Sequence, residues 1–190
     1  MKMFLAGVLF IGLPLPGYSS DLCDDLWFSR NLVFDKVGYC FGSALGQAVF
    51  NNEGCTTTSP VLSANERAFV AWVKQTEQDW ECRVDTSRTQ LTIENIDTRR
   101  QLIDPVAASP FESACIGYIG GPLRLYAGHD TRHPVIGYAD PGGNVHWAHE
   151  WLDAPEGWSF VTVKLRNGLT MDMGWTNAYF GPETCEALAG

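Results

Sequence analysis

The sequence predicts an α+β protein in which a disulfide-tied helical module, residues 20–104, precedes a small β-barrel, residues 113–190. Three observations support this fold class. The first half contains apolar residues at helical spacing that follow clear helix-start signals. The six cysteines are an even number and are spread along the chain. After Cys115, short apolar runs alternate with Gly, Pro and Asp turns, a pattern typical of short antiparallel strands.

Composition and charge exclude several classes of protein. Of the 190 residues, 18% are charged and 45% are hydrophobic, which is typical of a folded globular protein. The net charge of -9 argues against nucleic-acid binding, which requires a basic surface. The same acidity argues against electrostatic adhesion to anionic lipid or to an anionic wall polymer.

The N-terminus has the pattern of a secretory signal peptide over residues 1–19. Lys2 is a short basic region, Met3–Leu15 is apolar, and Gly17–Ser19 provides small residues ahead of a cleavage site. The alternative is a membrane anchor, for which this apolar run is short. We therefore expect a periplasmic or secreted protein with no membrane span after signal cleavage.

Two helices are predicted in the helical module. The segment Asp24–Val37 has acids in its first turn and Gly38 as a C-cap. Ser63–Glu66 is a capping box that starts the second helix, which is predicted to end near Trp80. Trp72 and Trp80 lie on its apolar face and are expected in the core.

The cysteines predict disulfides in an oxidising compartment. Six cysteines allow about fifteen pairings. The sequence contains no Cys-x-x-Cys pair, which would have indicated a zinc site or thioredoxin-like chemistry. One predicted bond closes a short turn-rich loop, the second joins the ends of the helical module, and the third joins the ends of the barrel. The predicted pairs are Cys40–Cys55, Cys23–Cys82 and Cys115–Cys185.

The segment from Arg30 to Phe50 contains a pattern formed by Arg30, Asn31, Phe34, Gly38, Tyr39, Phe41, Leu45 and Phe50. With these residues the segment resembles the YARHG domain of bacterial extracellular proteins. Lys36 stands where that family has arginine, while Asp35 and Val37 depart from its pattern. The resemblance covers about residues 21–85, and the cysteines resemble an elaboration in a related alphaproteobacterial family of unknown function. It implies an exported domain and brings no established activity.

Arg30 and Asn31 are polar residues inside an otherwise apolar helix. They either form a binding site or donate hydrogen bonds to the carbonyl groups of the turn Gly42–Gly46. We favour the second interpretation, because a loop packed against a helix needs partners for its backbone groups.

Residues 105–112 contain two prolines and predict a linker. Five short strands beyond the linker suggest a small barrel. The predicted strands are residues 123–126, 135–138, 144–149, 158–165 and 173–175.

Five short elements follow one another in the C-terminal half, and they are Leu123–Asp130, Val135–Gly137, Gly143–Val145, Gly157–Val161 and Gly174–Trp175. In their order and spacing over residues 118–180 they resemble a bacterial SH3-like domain. The first strand lacks the Asn-Val-Arg of that family, and Glu150–Glu156 lengthens the middle loop. The resemblance implies a module that binds a ligand or contacts a protein, often in the cell envelope.

All four histidines, His129, His133, His146 and His149, lie within 21 residues of the chain. This clustering suggests a zinc or copper site. However, an offset of three in a strand places His146 and His149 on opposite faces, and no nucleophile-elbow sequence is present. We therefore predict no metal, no cofactor and no catalytic residue.

The sequence thus predicts an exported, non-enzymatic binding protein of the bacterial cell envelope. Its ligand is expected to be a peptide, a peptidoglycan stem or an exported partner protein. Two alternatives remain: a histidine-cluster metal-binding protein or metal-dependent hydrolase, and a structural or inhibitor protein that binds another exported protein. The predicted ligand-binding residues, all in or beside loops, are Tyr126, His129, His133 and Trp151.

Overall fold

The computed structural model describes residues 19–190. The predicted signal peptide, residues 1–19, therefore lies outside the described residues except for Ser19. Four helices come first and seven strands follow. The helices are α1 (Ser19–Lys36), α2 (Ala44–Phe50), α3 (Ala64–Asp79) and α4 (Ile96–Arg100). The strands are β1 (Ala107–Tyr118), β2 (Leu123–Tyr126), β3 (Val135–Ala139), β4 (Asn144–Glu150), β5 (Ser159–Lys164), β6 (Thr170–Thr176) and β7 (Cys185–Ala189).

The helix α1 extends the predicted helix toward the N-terminus, and it ends where Gly38 adopts a φ of +78°, in the left-handed region. Leu26, Phe28 and Leu32 are almost completely buried along α1. Phe28 stacks on Phe50 of α2 at a ring-centroid distance of 5.5 Å. The apolar pattern of α1 therefore builds the core of the helical part.

Arg30 and Asn31 do not bind the turn Gly42–Gly46, so the favoured interpretation of this pair is wrong. Arg30 Nε donates to the Glu77 carboxylate of α3 at 3.0 Å. Asn31 Nδ2 donates to the carbonyl oxygen of Trp27, one turn earlier in α1, at 2.7 Å. Arg30 thus connects α1 to α3, whereas Asn31 forms a hydrogen bond within α1.

The helix α3 begins at the predicted capping box, in which the Ser63 side chain accepts from the Glu66 amide and the Glu66 side chain accepts from the Ser63 amide. Phe69 and Val73 are fully buried against α1. Trp80, which was expected in the core, is 47% exposed because α3 ends at Asp79 and Trp80 is already its cap.

The seven strands form one antiparallel sheet in the order β3-β2-β6-β5-β4-β1-β7. The predicted closed barrel is not observed: within the described residues β3 and β7 are free edges and no pairing joins them. β1 and β7, which are outside the predicted set of strands, explain why the sheet is larger than predicted. β1 pairs with β4 on one side and with β7 on the other, and so extends the sheet beyond the five predicted strands.

Residues 107–112 belong to β1, although the sequence predicts residues 105–112 as a linker. Ala108 pairs with His149 and Ser113 with Trp147, so residues 109–112 bulge opposite a single residue of β4. Pro110 in the bulge has no amide hydrogen for the ladder, and a bulge is where a strand tolerates proline. The turn signals read from the sequence therefore mark an irregularity within a strand.

All three predicted disulfides are present. The Cα–Cα distances are 5.3 Å for Cys23–Cys82, 5.0 Å for Cys40–Cys55 and 5.4 Å for Cys115–Cys185. Loops of this length correspond to roughly 3–5 kcal/mol of stabilisation for each bond in the chain-entropy description. The last of them lies in the core of the sheet, since Cys115 is 0% exposed and Cys185 is 3% exposed.

Arg99 in the last turn of α4 is fully buried, and α1 neutralises its charge. Its Nη1 lies 2.5 Å from Asp25 Oδ2, and its Nη2 lies 3.1 Å from Asp25 Oδ1. Nη2 also donates to Ser29 Oγ at 2.7 Å and to the Val106 carbonyl at 2.9 Å. The amide of Ala108 donates to the Asp25 carboxylate at 3.0 Å. One guanidinium therefore joins the helical part to the start of β1.

His149 of β4 completes this group, which we call the Arg99 cluster (Asp25, Ser29, Arg99 and His149). His149 Nε2 lies 3.0 Å from Arg99 Nη1 and must be the acceptor, because a guanidinium only donates. Burial raises the pKa of Asp25, but the combined interactions with Arg99 and His149 outweigh it and hold that pKa far below its usual range. Burial and the neighbouring Arg99 lower the pKa of His149, against the opposing carboxylates of Asp25 and Glu94.

Replacing Arg99 by methionine is expected to destabilise the protein strongly. The change leaves the Asp25 carboxylate buried without its cation, a loss that typically costs about 3–5 kcal/mol. The matched control is Arg132→Met, which removes an exposed Arg–Asp pair and should leave the unfolding midpoint unchanged. Denaturant titrations of the two variants and the wild type measure the difference, and an equal effect of both would show that the Arg99 cluster is not a stability determinant.

The lowered pKa of His149 predicts a loss of stability on mild acidification. The unfolded chain binds a proton at an ordinary histidine pKa of about 6.5, whereas the folded chain resists protonation. Stability is therefore complete above this pH and falls as the pH drops below it. In His149→Gln the amide oxygen can still accept from Arg99 and does not titrate. Thermal melts between pH 7.5 and about 5 should show a steeper decline for the wild type, and parallel curves would contradict this assignment.

Candidate functional site

A pocket lies where the helices meet the sheet, and we call it the junction pocket. Its volume is about 280 Å³. It combines an apolar and aromatic wall with acidic, basic and imidazole groups, a composition typical of sites for small polar ligands. Its lining residues are Val33, Lys36, Ser63, Asn65, Glu66, Ile103, Asp104, Pro105, His129, Trp151 and Asp153.

Trp151 forms the aromatic wall of the junction pocket. It follows the last residue of β4, and its ring stacks on Phe69 of α3 at a centroid distance of 4.6 Å and an interplanar angle of 27°. The ring packs against the core of the helices and also against a core of the sheet. Because Trp151 is only half-buried, part of its surface faces the pocket.

Asp104 supplies the carboxylate of the pocket, and the sheet fixes its position. Its backbone carbonyl accepts a hydrogen bond from Trp175 Nε1 at 2.9 Å. Its Oδ2 accepts from the backbone amide of His129 at 3.0 Å. Two imidazoles face the same oxygen: His129 Nε2 lies at 3.4 Å and His133 Nδ1 at 3.7 Å. The side chain of Asp104 is 19% exposed, so it remains accessible to a ligand.

Gly128 allows the close approach of Asp104 and His133. A Cβ atom at position 128 would lie 2.2 Å from His133 Nδ1 and 2.3 Å from Asp104 Oδ2. Since real Cβ contacts are not this short, a side chain at this position would force the carboxylate and the imidazole apart. The glycine therefore maintains the polar end of the pocket.

Lys36 supplies the cation of the pocket from the last turn of α1. The residue is exposed overall. Partial burial of its ammonium lowers its pKa, and the carboxylates of Asp35 and Asp104 oppose that shift. A cation in the last turn also suits the helix dipole. The pocket thus contains groups of both charges, contributed by different segments of the chain.

The structure gathers three of the four predicted ligand-binding residues around this pocket. His129 and Trp151 line it. His133 Nδ1 lies 3.7 Å from the carboxylate of Asp104, which lines the pocket. Tyr126 differs: it is 7% exposed, and its ring packs edge-on against Trp158 at 5.7 Å. As the last residue of β2 it pairs with Trp175 of β6, so it belongs to the core and not to a binding loop.

Lys36 and Asp104 are among the lining residues of the junction pocket that were not predicted as site residues. Lys36 occupies the arginine position of the YARHG pattern, which was a usable signal. Asp104 precedes the predicted linker, and only the fold shows that its carboxylate faces two histidines.

The remaining two histidines lie elsewhere. His146 Nδ1 is 2.5 Å from Glu112 Oε1, and His149 belongs to the Arg99 cluster. Among the side chains that the structure describes within residues 19–190, no group of three or more His, Cys, Asp or Glu residues is arranged to hold a metal ion. The same stretch contains no helix that is both long and apolar enough to cross a membrane.

Comparison with protein families finds two matches that together span most of the chain. Residues 81–190 match the family described as Domain of unknown function (DUF4453). Residues 14–78 match the YARHG domain, which confirms that resemblance. Neither match is to an SH3-like domain. Comparison of the chain with curated proteins and with solved structures found no match.

Aromatic truncations should separate the wall of the pocket from the core. Trp175 is 1% exposed and Tyr126 is 7% exposed, so Trp175→Ala and Tyr126→Ala are each expected to cost about 3–5 kcal/mol. Trp151→Ala should cost less, because its ring is only half-buried. Circular dichroism melts of the three variants test this order. An equal loss of melting temperature for Trp151→Ala and Trp175→Ala would make Trp151 a structural cap.

Proposed function

The chain belongs to the family of Domain of unknown function (DUF4453), and on this premise we propose that it is an exported, non-enzymatic binding protein of the bacterial cell envelope. Its ligand, a peptide, a peptidoglycan stem or a segment of an exported protein, would occupy the junction pocket. The observation that carries this proposal is the pocket itself, in which Trp151 stands beside charged groups of both signs.

The disulfides and the YARHG domain support export. Three disulfides are formed by all six cysteines, and such bonds persist in oxidising compartments. The YARHG match at residues 14–78 is consistent with the same location. These features favour a periplasmic or secreted protein.

The chemistry of the junction pocket favours binding over catalysis. Ser63 is the one hydroxyl side chain among its described lining residues, and it is engaged as the N-cap of α3, where it accepts from the Glu66 amide. The Glu66 carboxylate accepts from the Ser63 amide at 2.7 Å in return. A hydroxyl held as a helix cap is not paired with a general base, as nucleophilic catalysis requires.

The proposal also includes that residues 113–190 act as an SH3-like contact module. Val135–Gly137, Gly157–Val161 and Gly174–Trp175 follow the order of that family. β3, β5 and β6 contain most of these residues. The open sheet departs from a closed SH3 barrel, so the relationship rests on this order of elements.

Capture experiments with the exported protein test the proposal. Wild-type protein is incubated with purified sacculi and, separately, with periplasmic extract, and the bound fraction is measured. We expect Trp151→Ala to lose most of the capture, because truncation removes the aromatic wall. The matched control is Trp80→Ala, since Trp80 is an exposed tryptophan outside the pocket.

The two arms distinguish the ligand classes. Retention on sacculi indicates a wall component, whereas retention of protein from the extract indicates an exported partner. If Trp151→Ala and Trp80→Ala both bind like the wild type, the ligand does not occupy the junction pocket and the proposal fails.

A further inference from the structure

Two opposite charges face the junction pocket without contacting each other. Among the side chains that the structure describes, none forms an ion pair with the Lys36 ammonium at 4.0 Å or closer. Burial lowers the pKa of Lys36, and Asp104 is close enough to oppose that shift. The pocket is therefore lined by a cation and an anion that do not form an ion pair with each other.

The carboxylate of Asp104 keeps one oxygen free for a ligand. Its Oδ2 accepts from the His129 amide and faces the two imidazoles. Across the described residues, no hydrogen bond reaches its Oδ1. A carboxylate with one anchored oxygen and one free oxygen is held in position to accept a further donor, such as an ammonium group.

We propose that the junction pocket binds a zwitterion, namely a short peptide with a free amino and a free carboxyl group and with an apolar side chain. The ligand ammonium would pair with Asp104, its carboxylate with Lys36, and its apolar side chain would lie on Trp151. This inference rests on the proposed function of the pocket and specifies the chemistry of its ligand.

Ligands of a single charge fit this arrangement less well. A purely cationic ligand satisfies Asp104 but is repelled by Lys36. A purely anionic ligand satisfies Lys36 but meets Asp104, Asp153 and a chain of net charge -9. Each would leave one partly desolvated charge without a partner, which is a recognised basis of discrimination. A volume of about 280 Å³ further limits the ligand to roughly the size of a dipeptide.

Calorimetric titration with four defined probes tests the inference. The probes are alanyl-phenylalanine, its N-acetyl derivative, its amide and the doubly blocked compound. For the wild type we expect the free dipeptide to bind at least about tenfold more tightly than either singly blocked probe, because each blocked end loses one charged interaction.

A Lys36 variant tests whether Lys36 pairs with the carboxylate end of the ligand. Lys36→Gln should weaken binding of the free dipeptide about tenfold. It should not weaken binding of the amide, because the amide has no carboxylate to pair with Lys36 and is relieved of the repulsion by the lysine charge. Lys74→Gln is the matched control, because Lys74 is an exposed lysine of α3 that does not line the pocket. Thermal melts confirm that both variants are folded.

Two results would overturn the inference. The first is equal affinity of the wild type for all four probes, and the second is an equal effect of Lys36→Gln on the free dipeptide and on its amide. If no dipeptide binds while Trp151→Ala still abolishes capture from sacculi or extract, the proposed function stands and the zwitterion inference fails. If neither binding nor capture is observed, both fail.

Discussion

The buried guanidinium of Arg99 is the constraint that joins the two parts of this fold. A charge without solvent is costly unless it is paired and hydrogen-bonded, and the partners of Arg99 come from separate segments. Asp25 comes from α1, the Val106 carbonyl from the entry to β1, and His149 from β4. Helix and sheet must meet at this point for the guanidinium to be satisfied, so the Arg99 cluster fixes their relative position.

The position of the junction pocket follows from the same constraint. α1 passes from Asp25 in the Arg99 cluster to Lys36 at the pocket, and β4 passes from His149 in the cluster to Trp151 just beyond its end. The stacking of Trp151 on Phe69 then adds a second contact between sheet and helix. The walls of the pocket are thus carried by elements that the cluster holds together.

Both family-matched regions contribute to the pocket. Lys36 and Glu66 lie in the YARHG region, whereas Asp104, His129 and Trp151 lie in the region that matches the domain of unknown function. Lys36 and Asp104, which have opposite charges, therefore come from different regions. The disulfide Cys23–Cys82 connects the two regions covalently, because its cysteines lie on either side of their boundary.

Sequence alone determined the features whose signals are local: the capping box of α3, the turn-bounded strands such as β2 and β4, and the even set of cysteines with their pairing. Only the tertiary structure decided the open strand order, the inclusion of residues 107–112 in β1, and the burial of Tyr126. It also decided the role of Arg99, whose partner Asp25 lies 74 residues away in the chain. Local patterns report which conformation a segment prefers, but whether a charge is buried or a pocket forms depends on residues that meet only when distant segments pack.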